Sequence, residues 1–326
     1  MSGIFGMWKL GNGKIEWKTE VEQLYLWNRA YGEEGEEQYM DENICIGAFL
    51  EKFSGDVGNA SEAPVIKENR KYAVIDALIY NREELCNKLK IEEICSDEQL
   101  LFRYIEKYGP EHLKEVNGDF CGAIYDTEKK SLTLFRDHMG VRPLFYYADE
   151  ACVAFSTDIR GLIGTELVNK KIDEKWLWGQ MVGAAFMGTE NTEFAHVFCV
   201  KPASYMSFSL GENGICKKKQ TIYWKLGGKK IRLKSEAAYI EKMRELITDA
   251  VKRRLDAVSG MVGAELSGGL DSGVIDILIH RLGRDCTYFS WSASPEEIPF
   301  AEGDERIVIE DICKQEGINC TYAGCS

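Results

Sequence analysis

The sequence predicts two domains: an α+β domain rich in strands, followed by a partial α/β domain with a parallel sheet. Short apolar and β-branched stretches, separated by turn residues, recur through the first two thirds of the 326 residues, which is typical of strands. From Met261 onward, strand-like and helix-like stretches alternate, which favours a doubly wound parallel sheet. A basic, glycine-bearing stretch, 227–232, divides the two patterns. We therefore expect domains at 1–227 and 235–326.

Several strands and two helices of the first domain are predicted from local patterns. Apolar residues recur at three- and four-residue spacing in 82–89 and 97–108, which indicates amphipathic helices. Ser96 or Asp97 can accept a hydrogen bond from the first turn of the second helix and is its expected N-cap. The predicted strands are 44–49, 72–77, 119–125, 131–135 and 144–147.

The second domain begins with a long predicted helix, 235–255. Tyr239, Met243 and Leu246 repeat on one of its faces, as in an amphipathic helix. The order strand, helix, strand, helix that follows is typical of βα units. These elements are predicted as a strand to 266, a helix from Gly273 to 281, a strand at 287–292 and a helix at 304–316.

The composition excludes several classes of protein. Apolar residues make up 45% of the chain and aromatic residues 11%, which is enough to form cores, so global disorder is excluded. The chain has 40 Lys and Arg residues against 53 Asp and Glu, a formal net charge of −13, so neither nucleic acid nor an anionic membrane is an expected partner. No stretch approaches the roughly 18 apolar residues of a membrane-spanning helix, and the first residues lack the basic segment of a signal peptide. We expect a cytoplasmic protein.

The cysteines and histidines form no recognisable disulfide or metal pattern. The 11 cysteines are an odd number without a C-x-x-C pair, and the four histidines are far apart in the sequence. We therefore expect reduced thiols and no transition metal held by protein ligands.

The strongest chemical signal is the segment 267–272, which reads Ser-Gly-Gly-Leu-Asp-Ser between a predicted strand and a predicted helix. Backbone N–H groups at such a turn and the positive end of the helix dipole bind phosphate, and two glycines remove the Cβ atoms that would keep it away. Ser267 and Ser272 can add hydroxyl donors. Asp271 would repel a bare phosphate, so its expected role is to hold a Mg²⁺ ion that bridges to the phosphates. The segment therefore predicts a nucleotide site.

This loop differs from the Walker type. No glycine is followed after four residues by Gly-Lys-Ser or Gly-Lys-Thr. The segment resembles instead the pyrophosphate-binding loop of the ATP pyrophosphatase enzymes, which release pyrophosphate and leave AMP on an acceptor oxygen.

Three further segments support an assignment to one family of such enzymes. They read Met-Ser-Gly-Ile-Phe-Gly at 1–6, Asn-Gly-Asp-Phe at 117–120 and Arg-Asp-His-Met-Gly-Val-Arg-Pro-Leu at 136–144. With the loop and its flanks, they resemble the asparagine synthetase family, whose members join a glutaminase domain to an ATP pyrophosphatase domain. The resemblance implies an α+β N-terminal-nucleophile domain of the class II glutamine amidotransferase type, with an αββα arrangement, followed by a partial, Rossmann-like α/β ATP pyrophosphatase domain.

The resemblance also implies ATP and Mg²⁺ as cofactors and an amide-forming ligase as the activity. The carboxylate of a small molecule or peptide would attack the α-phosphate of ATP, giving an acyl-adenylate and pyrophosphate, and an amine would then displace AMP. Oriented donors and Mg²⁺ would neutralise the leaving pyrophosphate. The adenosine would be held chiefly by backbone groups. The residues implied at the ATP site are Glu265, Leu266, Ser267, Gly268, Gly269, Leu270, Asp271, Ser272 and Trp291, of which Asp271 is also the catalytic Mg²⁺ ligand.

The glutaminase half departs from the family pattern. The family nucleophile is a cysteine directly after the initiator Met, whereas this chain has Ser2, whose hydroxyl is much less acidic than a thiol. The family segment Asn-Gly-Glu-Ile-Tyr-Asn reads Asp-Ala-Leu-Ile-Tyr-Asn at 76–81, so the Asn, the Gly and the acidic residue that binds the substrate amine are lost. Asp97 persists as a glutamine-binding candidate, and Ser2 occupies the nucleophile position. We expect an impaired glutaminase site that is retained as a scaffold.

The second domain is shorter than that of the family. It ends at 326, whereas family members continue with a large helical portion that carries a second phosphate loop, an essential lysine and the acceptor pocket. A parallel sheet of only two strands would leave an unpaired edge and open apolar helix faces. We expect either a partner, as in a homodimer or with a chain that supplies the missing portion, or a fragment of a longer protein.

Three functional interpretations follow from these residues. The first is an asparagine synthetase-like ligase with an impaired glutaminase site. The second is a ligase like the lasso-peptide cyclases or β-lactam synthetases, which use an amine of their own substrate and need no glutamine. The third is a non-catalytic module that binds nucleotide weakly or serves in an interaction. None of the three identifies the acceptor substrate.

Overall fold

The computed structural model describes residues 2–11, 15–32, 35–50, 64–93, 95–183, 190–211, 215–228, 230–258, 260–296, 298–301 and 303–323. Met1, where the family-like opening begins, lies outside these residues. The described residues divide into two compact units, the first reaching to Gly228 and the second beginning at residue 230. Each unit has its own sheet structure and its own apolar core.

The first unit is built on two antiparallel sheets of six strands each. Its strands are β1 Gly3–Lys9, β2 Gly35–Met40, β3 Ile44–Leu50, β4 Val65–Glu68, β5 Lys71–Ile79, β6 Gly118–Asp126, β7 Ser131–Arg136, β8 Phe145–Ala148, β9 Cys152–Ser156, β10 Phe198–Cys199, β11 Ser204–Leu210 and β12 Cys216–Ile222. One sheet has the order β10-β8-β9-β1-β3-β2, and the other has the order β12-β11-β7-β6-β5-β4. The five strands predicted from the sequence correspond to β3, β5, β6, β7 and β8.

Two pairs of helices cover the outer faces of these sheets. The helices of this unit are α1 Trp17–Asn28, α2 Arg82–Leu89, α3 Asp97–Tyr108, α4 Ile159–Ile163 and α5 Glu174–Met181. One apolar cluster joins Leu24 of α1 and Leu162 of α4 to Phe5 of β1. A second cluster joins α2 and α3 to the other sheet, through residues such as Leu101. The layers of this unit are therefore stacked in the order helices, sheet, sheet, helices, which is the predicted αββα arrangement.

The two sheets face each other across a continuous apolar layer. Successive residues of β1 alternate between its two faces: Ile4 and Trp8 enter the inter-sheet layer, whereas Phe5 and Met7 join the cluster around α1. Because water is excluded from the inter-sheet layer, any polar group that enters it needs a partner within the protein.

The second unit contains a small parallel sheet with helices between its strands. Its elements are α6 Glu236–Asp256, β13 Val262–Glu265, α7 Leu270–Arg281, β14 Cys286–Ser290, α8 Glu305–Glu316 and β15 Cys320–Tyr322. The strands pair in the order β13-β14-β15, all parallel. Ala264, Ile279 and Tyr288 lie at the centre of its core. The carboxyl ends of the strands meet at one edge of the sheet, where ligands bind in open α/β folds.

Two predictions for this unit are wrong. The sequence indicated only two strands, but β15 is a third; with three residues it is too short to show an alternating pattern. The helix predicted to begin near Gly273 begins at Leu270, so half of the segment 267–272 is helical. Glycine-rich segments favour turns, but here Gly269 is the N-cap itself.

The long helix α6 is present as predicted, but its apolar face is exposed. Tyr239, Met243 and Leu246 are each exposed to solvent, and no residue of α6 is classed as buried. The helix contacts the core of its unit near its end, through Val251 and Leu255. In the described part of the chain, no helix is long and apolar enough to cross a membrane.

Replacing Gly47 with alanine is expected to destabilise the first unit. A Cβ atom on Gly47 of β3 would overlap the ring of Phe5 on the neighbouring β1, and that ring lies in the core. Overpacking of this kind lowers the free energy of unfolding by about 1–3 kcal/mol. The measurement is urea unfolding, and Gly227→Ala is the control, because a Cβ atom there meets nothing within 4 Å. Equal stability of the two variants would show that the ring moves aside freely.

Candidate functional site

Ser2, the predicted nucleophile position, lies at the buried start of β1. Its hydroxyl group and its backbone N–H both donate hydrogen bonds to the carboxylate of Asp76. Asp76 lies on β5 in the opposite sheet, paired with Cys121 on β6, and only 4% of the residue is exposed. Because Cys121 belongs to the inter-sheet core, the Asp76 carboxylate enters the same water-free layer.

Arg142 supplies the positive charge that this carboxylate needs. Its Nη1 lies 3.4 Å from Oδ2 of Asp76, and both side chains are largely buried. The backbone of Arg142 is fixed in turn, since its N–H donates to Asp137 and its carbonyl accepts from Arg136. Asp76 Oδ2 and Arg142 Nε have no hydrogen-bond partner among the described residues. Burial raises the pKa of Asp76, whereas Arg142 and the Ser2 hydrogen bonds act to lower it.

A second carboxyl group, that of Glu98, lies near Asp76. Burial raises the pKa of Glu98 to about 8, and the negative charges of Asp97 and Asp76 act in the same direction. Glu98 lies in the first turn of α3, whose N-cap is Ser96 as predicted. The start of α3 therefore adds an acidic group to the surroundings of Asp76.

Asp97, the predicted glutamine-binding residue, is engaged in contacts within the chain. Its Oδ2 accepts a 2.7 Å hydrogen bond from the N–H of Ile79, and its Oδ1 accepts one from the guanidinium of Arg82. Arg82 also donates to the carbonyl of Cys95. These contacts tie the start of α3 to the end of β5, and each carboxylate oxygen of Asp97 already has a partner within the chain.

The residues beside Ser2 can be compared with what amide hydrolysis needs. Attack on an amide creates an oxyanion, which catalytic sites stabilise with hydrogen-bond donors. Asp76 stands where the family segment has an asparagine, so a carboxyl group takes the place of a carboxamide with its N–H donors. Ala77 and Leu78 replace the glycine and the glutamate that follow. Ser2 therefore lies beside the buried pair of Asp76 and Arg142, where the family segment has a carboxamide.

The predicted phosphate loop forms a tight turn between β13 and α7. Gly269 is the N-cap of α7 and offers no side-chain hydrogen bond to the first turn, so the N–H groups there depend on a ligand or on water. The hydroxyl groups of Ser267 and Ser272 lie 2.8 Å apart, and Ser272 also donates to the Gly269 carbonyl at 3.1 Å. Two hydroxyl groups thus lie beside the amino end of a helix, as an anion site requires.

Gly268 determines the shape of this loop. Its φ angle is +70°, in the left-handed region that favours glycine. A Cβ atom at Gly268 would lie 2.6 Å from the carbonyl oxygen of Glu305, the first residue of α8. The loop and α8 are therefore in direct backbone contact, and a larger residue does not fit between them.

Asp271, the predicted Mg²⁺ ligand, lies in the first turn of α7, and its side chain is exposed. Such a carboxylate suits Mg²⁺, which keeps several waters and binds through one or two carboxylates and the phosphates of a substrate. The two glycines of the loop, the two hydroxyl groups and Asp271 together fit a magnesium-bound pyrophosphate group. Within the described residues, no group of three or more His, Cys, Asp or Glu side chains is arranged to hold a metal ion.

The other predicted ATP residues lie at the same carboxyl edge of the sheet. Glu265 ends β13, and Trp291 directly follows β14. Leu266 is buried, and its N–H donates to the Phe289 carbonyl at 2.8 Å. Leu270 and Trp291, in contrast, are 83% and 72% exposed. The edge thus has two exposed apolar side chains near the loop, which are suitable surfaces for a nucleotide base.

Sequence comparison now identifies the family. The profile of the glutamine amidotransferase domain family matches residues 1–224, and that of asparagine synthase matches residues 242–322. The chain belongs to the asparagine synthetase family. This result confirms the predicted family. With the two facing sheets of the first unit, it also confirms the predicted N-terminal-nucleophile fold and the partial synthetase domain.

The relatives found by comparison are longer than this chain. The putative asparagine synthetase 2 of Methanocaldococcus jannaschii is 28% identical over 293 residues, which cover 84% of this chain and 56% of the relative. Asparagine synthetase B of Escherichia coli is 26% identical over 187 residues, 55% of this chain and 33% of the relative. Among solved structures, a glutamine phosphoribosylpyrophosphate amidotransferase from B. subtilis is similar over 88% of this chain and 65% of that chain, with a TM-score of 0.44 and 13% identity. This chain spans about half the length of the first relative.

Sequence analysis missed a buried carboxyl group in the helix that follows the loop. Asp276 of α7 is only 2% exposed, and its Oδ2 has no hydrogen-bond partner in the described part of the chain. Burial raises its pKa to about 6, and Glu265 acts in the same direction. A signal was available, because Asp276 is an acidic residue inside the otherwise apolar run 274–279.

Replacing Asp276 with asparagine is expected to remove a pH dependence from the unfolding of the second unit. The pKa of Asp276 is about 6 in the folded chain, compared with an ordinary value of 3.8. As the pH rises, the unfolded state therefore releases its proton first, and the wild type loses on the order of 3 kcal/mol of stability between about pH 4 and pH 7. An asparagine does not titrate, so the variant should not show this loss.

Urea unfolding at a series of pH values measures this effect. The control is Asp249→Asn, which removes an exposed carboxylate paired with Arg253 on α6 and should keep the wild-type pH dependence. If wild type and Asp276→Asn lose stability equally over this range, the buried carboxyl group is not its source.

Proposed function

We propose that this chain carries the nucleotide-binding part of an ATP-dependent, amide-forming ligase, together with an impaired glutaminase site. The observation on which the proposal rests is the loop between β13 and α7. There Gly268 gives the backbone a shape that other residues do not adopt easily, and Ser267, Ser272 and Asp271 gather at the amino end of a helix. This combination suits the pyrophosphate portion of ATP with Mg²⁺.

In the proposed reaction, the carboxylate of a small molecule or peptide attacks the α-phosphorus of ATP. A bond forms between a carboxylate oxygen and that phosphorus, the bond from phosphorus to the bridging oxygen breaks, and pyrophosphate leaves with the electron pair. An amine then attacks the acyl carbon of the adenylate. The bond between the acyl carbon and the bridging oxygen breaks, and AMP leaves with that oxygen and the electron pair. The nitrogen loses a proton, and the product is an amide.

The role of the chain in the first step is to bind and orient the triphosphate. Backbone N–H groups at the start of α7 and the hydroxyl groups of Ser267 and Ser272 donate to the pyrophosphate oxygens, and these bonds strengthen as negative charge accumulates there. Asp271 would hold Mg²⁺, which when bound neutralises part of this charge. Backbone groups near Glu265 and Trp291 would hold the adenosine.

The source of the amine distinguishes two forms of this function. A ligase of the asparagine synthetase type with a working first domain takes ammonia from glutamine. The hydrogen bonds between Ser2 and the buried Asp76 favour another source. The second candidate is therefore a ligase that uses an amine of its own substrate, as lasso-peptide cyclases and β-lactam synthetases do, with the first unit as a scaffold.

We also propose that the protein works in the cytoplasm. The ten cysteines in the described part of the chain are all unpaired, and six of them are only partly buried. Thiols in this state are typical of a reducing compartment.

Calorimetric titration of Mg²⁺–ATP into the purified chain tests the nucleotide site. We expect binding that Asp271→Ala weakens by about tenfold or more, because the metal loses its protein ligand. In the presence of a chelator the order should reverse: the variant should bind free ATP at least as well as the wild type, because it lacks a carboxylate that repels phosphate. The control Asp311→Ala removes an exposed aspartate on α8 and should bind like the wild type.

Two outcomes would contradict this proposal. One is a folded wild-type chain that binds no nucleotide, which would favour the non-catalytic interaction module. The other is equal binding by wild type and Asp271→Ala in Mg²⁺, which would remove Asp271 from the metal site.

Glutamate release from glutamine tests the impaired site. We expect neither the wild type nor Ser2→Cys to release glutamate above background. The thiol of the variant would restore the nucleophile, but the Asp76 carboxylate would still repel the oxyanion of the reaction. An enzymatic glutamate assay with a long incubation measures this, and Ser2→Ala sets the background. Release by the wild type that Ser2→Ala abolishes would show a working glutaminase and favour glutamine as the source of the amine.

A further inference from the structure

Arg306, in the first turn of α8, is a buried arginine that the proposed reaction does not use. Only 6% of the residue is exposed. Its guanidinium binds both carboxylate oxygens of Asp304, the N-cap residue of α8. A buried charge destabilises a protein unless it is paired and hydrogen-bonded, and Asp304 meets only part of this need. The remaining donors of Arg306 therefore indicate what else the residue does.

These donors hold the segment that leads from β14 to α8. Nη1 donates to the carbonyl oxygens of Ala293 at 3.0 Å and Ile298 at 2.8 Å, and Nη2 donates to that of Pro299 at 3.3 Å. The guanidinium also lies 5.3 Å from the centre of the Phe300 ring. One planar group thus fixes several peptide carbonyls of this segment, a task for which the five donors of arginine are suited.

The held segment and the start of α8 lie against the candidate ATP site. Trp291 begins the segment, directly after β14. Ser292 donates a 2.8 Å hydrogen bond to the carboxylate of Glu305, the residue before Arg306. The carbonyl oxygen of Glu305 is the atom that closes the space beside Gly268 in the phosphate loop. A shift of Glu305 would therefore move a neighbour of the loop and a neighbour of Trp291 together.

We propose that Arg306 is a positioning residue for nucleotide binding. By fixing Asp304 and the carbonyls of the segment, it holds Glu305 against Gly268 and keeps the polypeptide next to Trp291 in place. The phosphate loop and the adenosine side are then preformed, so less binding free energy is lost in ordering them. This inference rests on the proposed function, because it concerns the same ATP site, and it assigns a role to a residue that acts through its neighbours.

The test compares nucleotide binding by variants of the full chain. We expect Arg306→Met to weaken Mg²⁺–ATP binding by about tenfold or more, because the nucleotide must then order the loop and the segment. Arg306→Lys keeps the charge but lacks the planar fork, so its affinity should lie between those of the wild type and Arg306→Met. The control is Arg281→Met, which removes an exposed arginine of the same unit that binds Glu316 through two hydrogen bonds. This control should bind like the wild type.

Hydrogen exchange without nucleotide separates positioning from a general loss of folding. In Arg306→Met, the amides of 267–272 and 291–296 should exchange faster than in the wild type, while those of β14 and the middle of α7 stay protected. In Arg306→Lys the same amides should show a smaller change.

Three results would overturn the inference, and they have different meanings. Unchanged affinity in Arg306→Met, with a wild type that binds nucleotide, would reject the positioning role alone. Loss of protection throughout the second unit in both Arg306 variants would show that the residue serves only folding. A folded wild type without nucleotide binding would reject the proposed function and this inference with it.

Discussion

The first unit is governed by the exclusion of water from the layer between its two sheets. Most strand residues that face this layer are apolar, and a polar residue there loses its contact with water. Asp76 is such a residue: it extends into the layer from one sheet and is held by Ser2 from the start of β1 and by Arg142 from the loop after β7. These partners act against the raising of the Asp76 pKa by burial and offset part of the cost of burying the carboxyl group. Ser2, the predicted nucleophile position, is thus in contact with an internal ion pair.

The second unit depends on a different kind of contact, between backbones. Its core is small, and much of the apolar surface of α6 is exposed. The loop that would receive ATP is shaped by the left-handed Gly268 and by the carbonyl of Glu305 pressed beside it. The loop and the segment held by Arg306 are separate parts of the chain, and Glu305 contacts both of them. A nucleotide that binds the folded unit would also stabilise it by mass action.

The sequence was sufficient for elements whose cause is local. The bounds of α2 and α3 agree with the prediction to the residue, and for α3 the reason is visible in the Ser96 side chain, which accepts a 3.2 Å hydrogen bond from the N–H of Gln99. The start of α7 was misplaced because glycine content indicates a turn, whereas the helix begins as soon as Gly269 provides the N-cap. The strand β15 was missed because three residues do not show a period of two.

The sequence by itself determined the family, the candidate phosphate loop at 267–272 and the departures at Ser2 and 76–78, because each of these is a contiguous motif. The tertiary structure alone decided what these residues contact. It brought Ser2, Asp76 and Arg142 together from three distant parts of the chain, paired Asp97 with Arg82, and placed Arg306 against carbonyls beside the candidate ATP site. The physical reason is that burial and charge pairing depend on which strands and loops meet when the layers pack, and no local pattern encodes such a meeting.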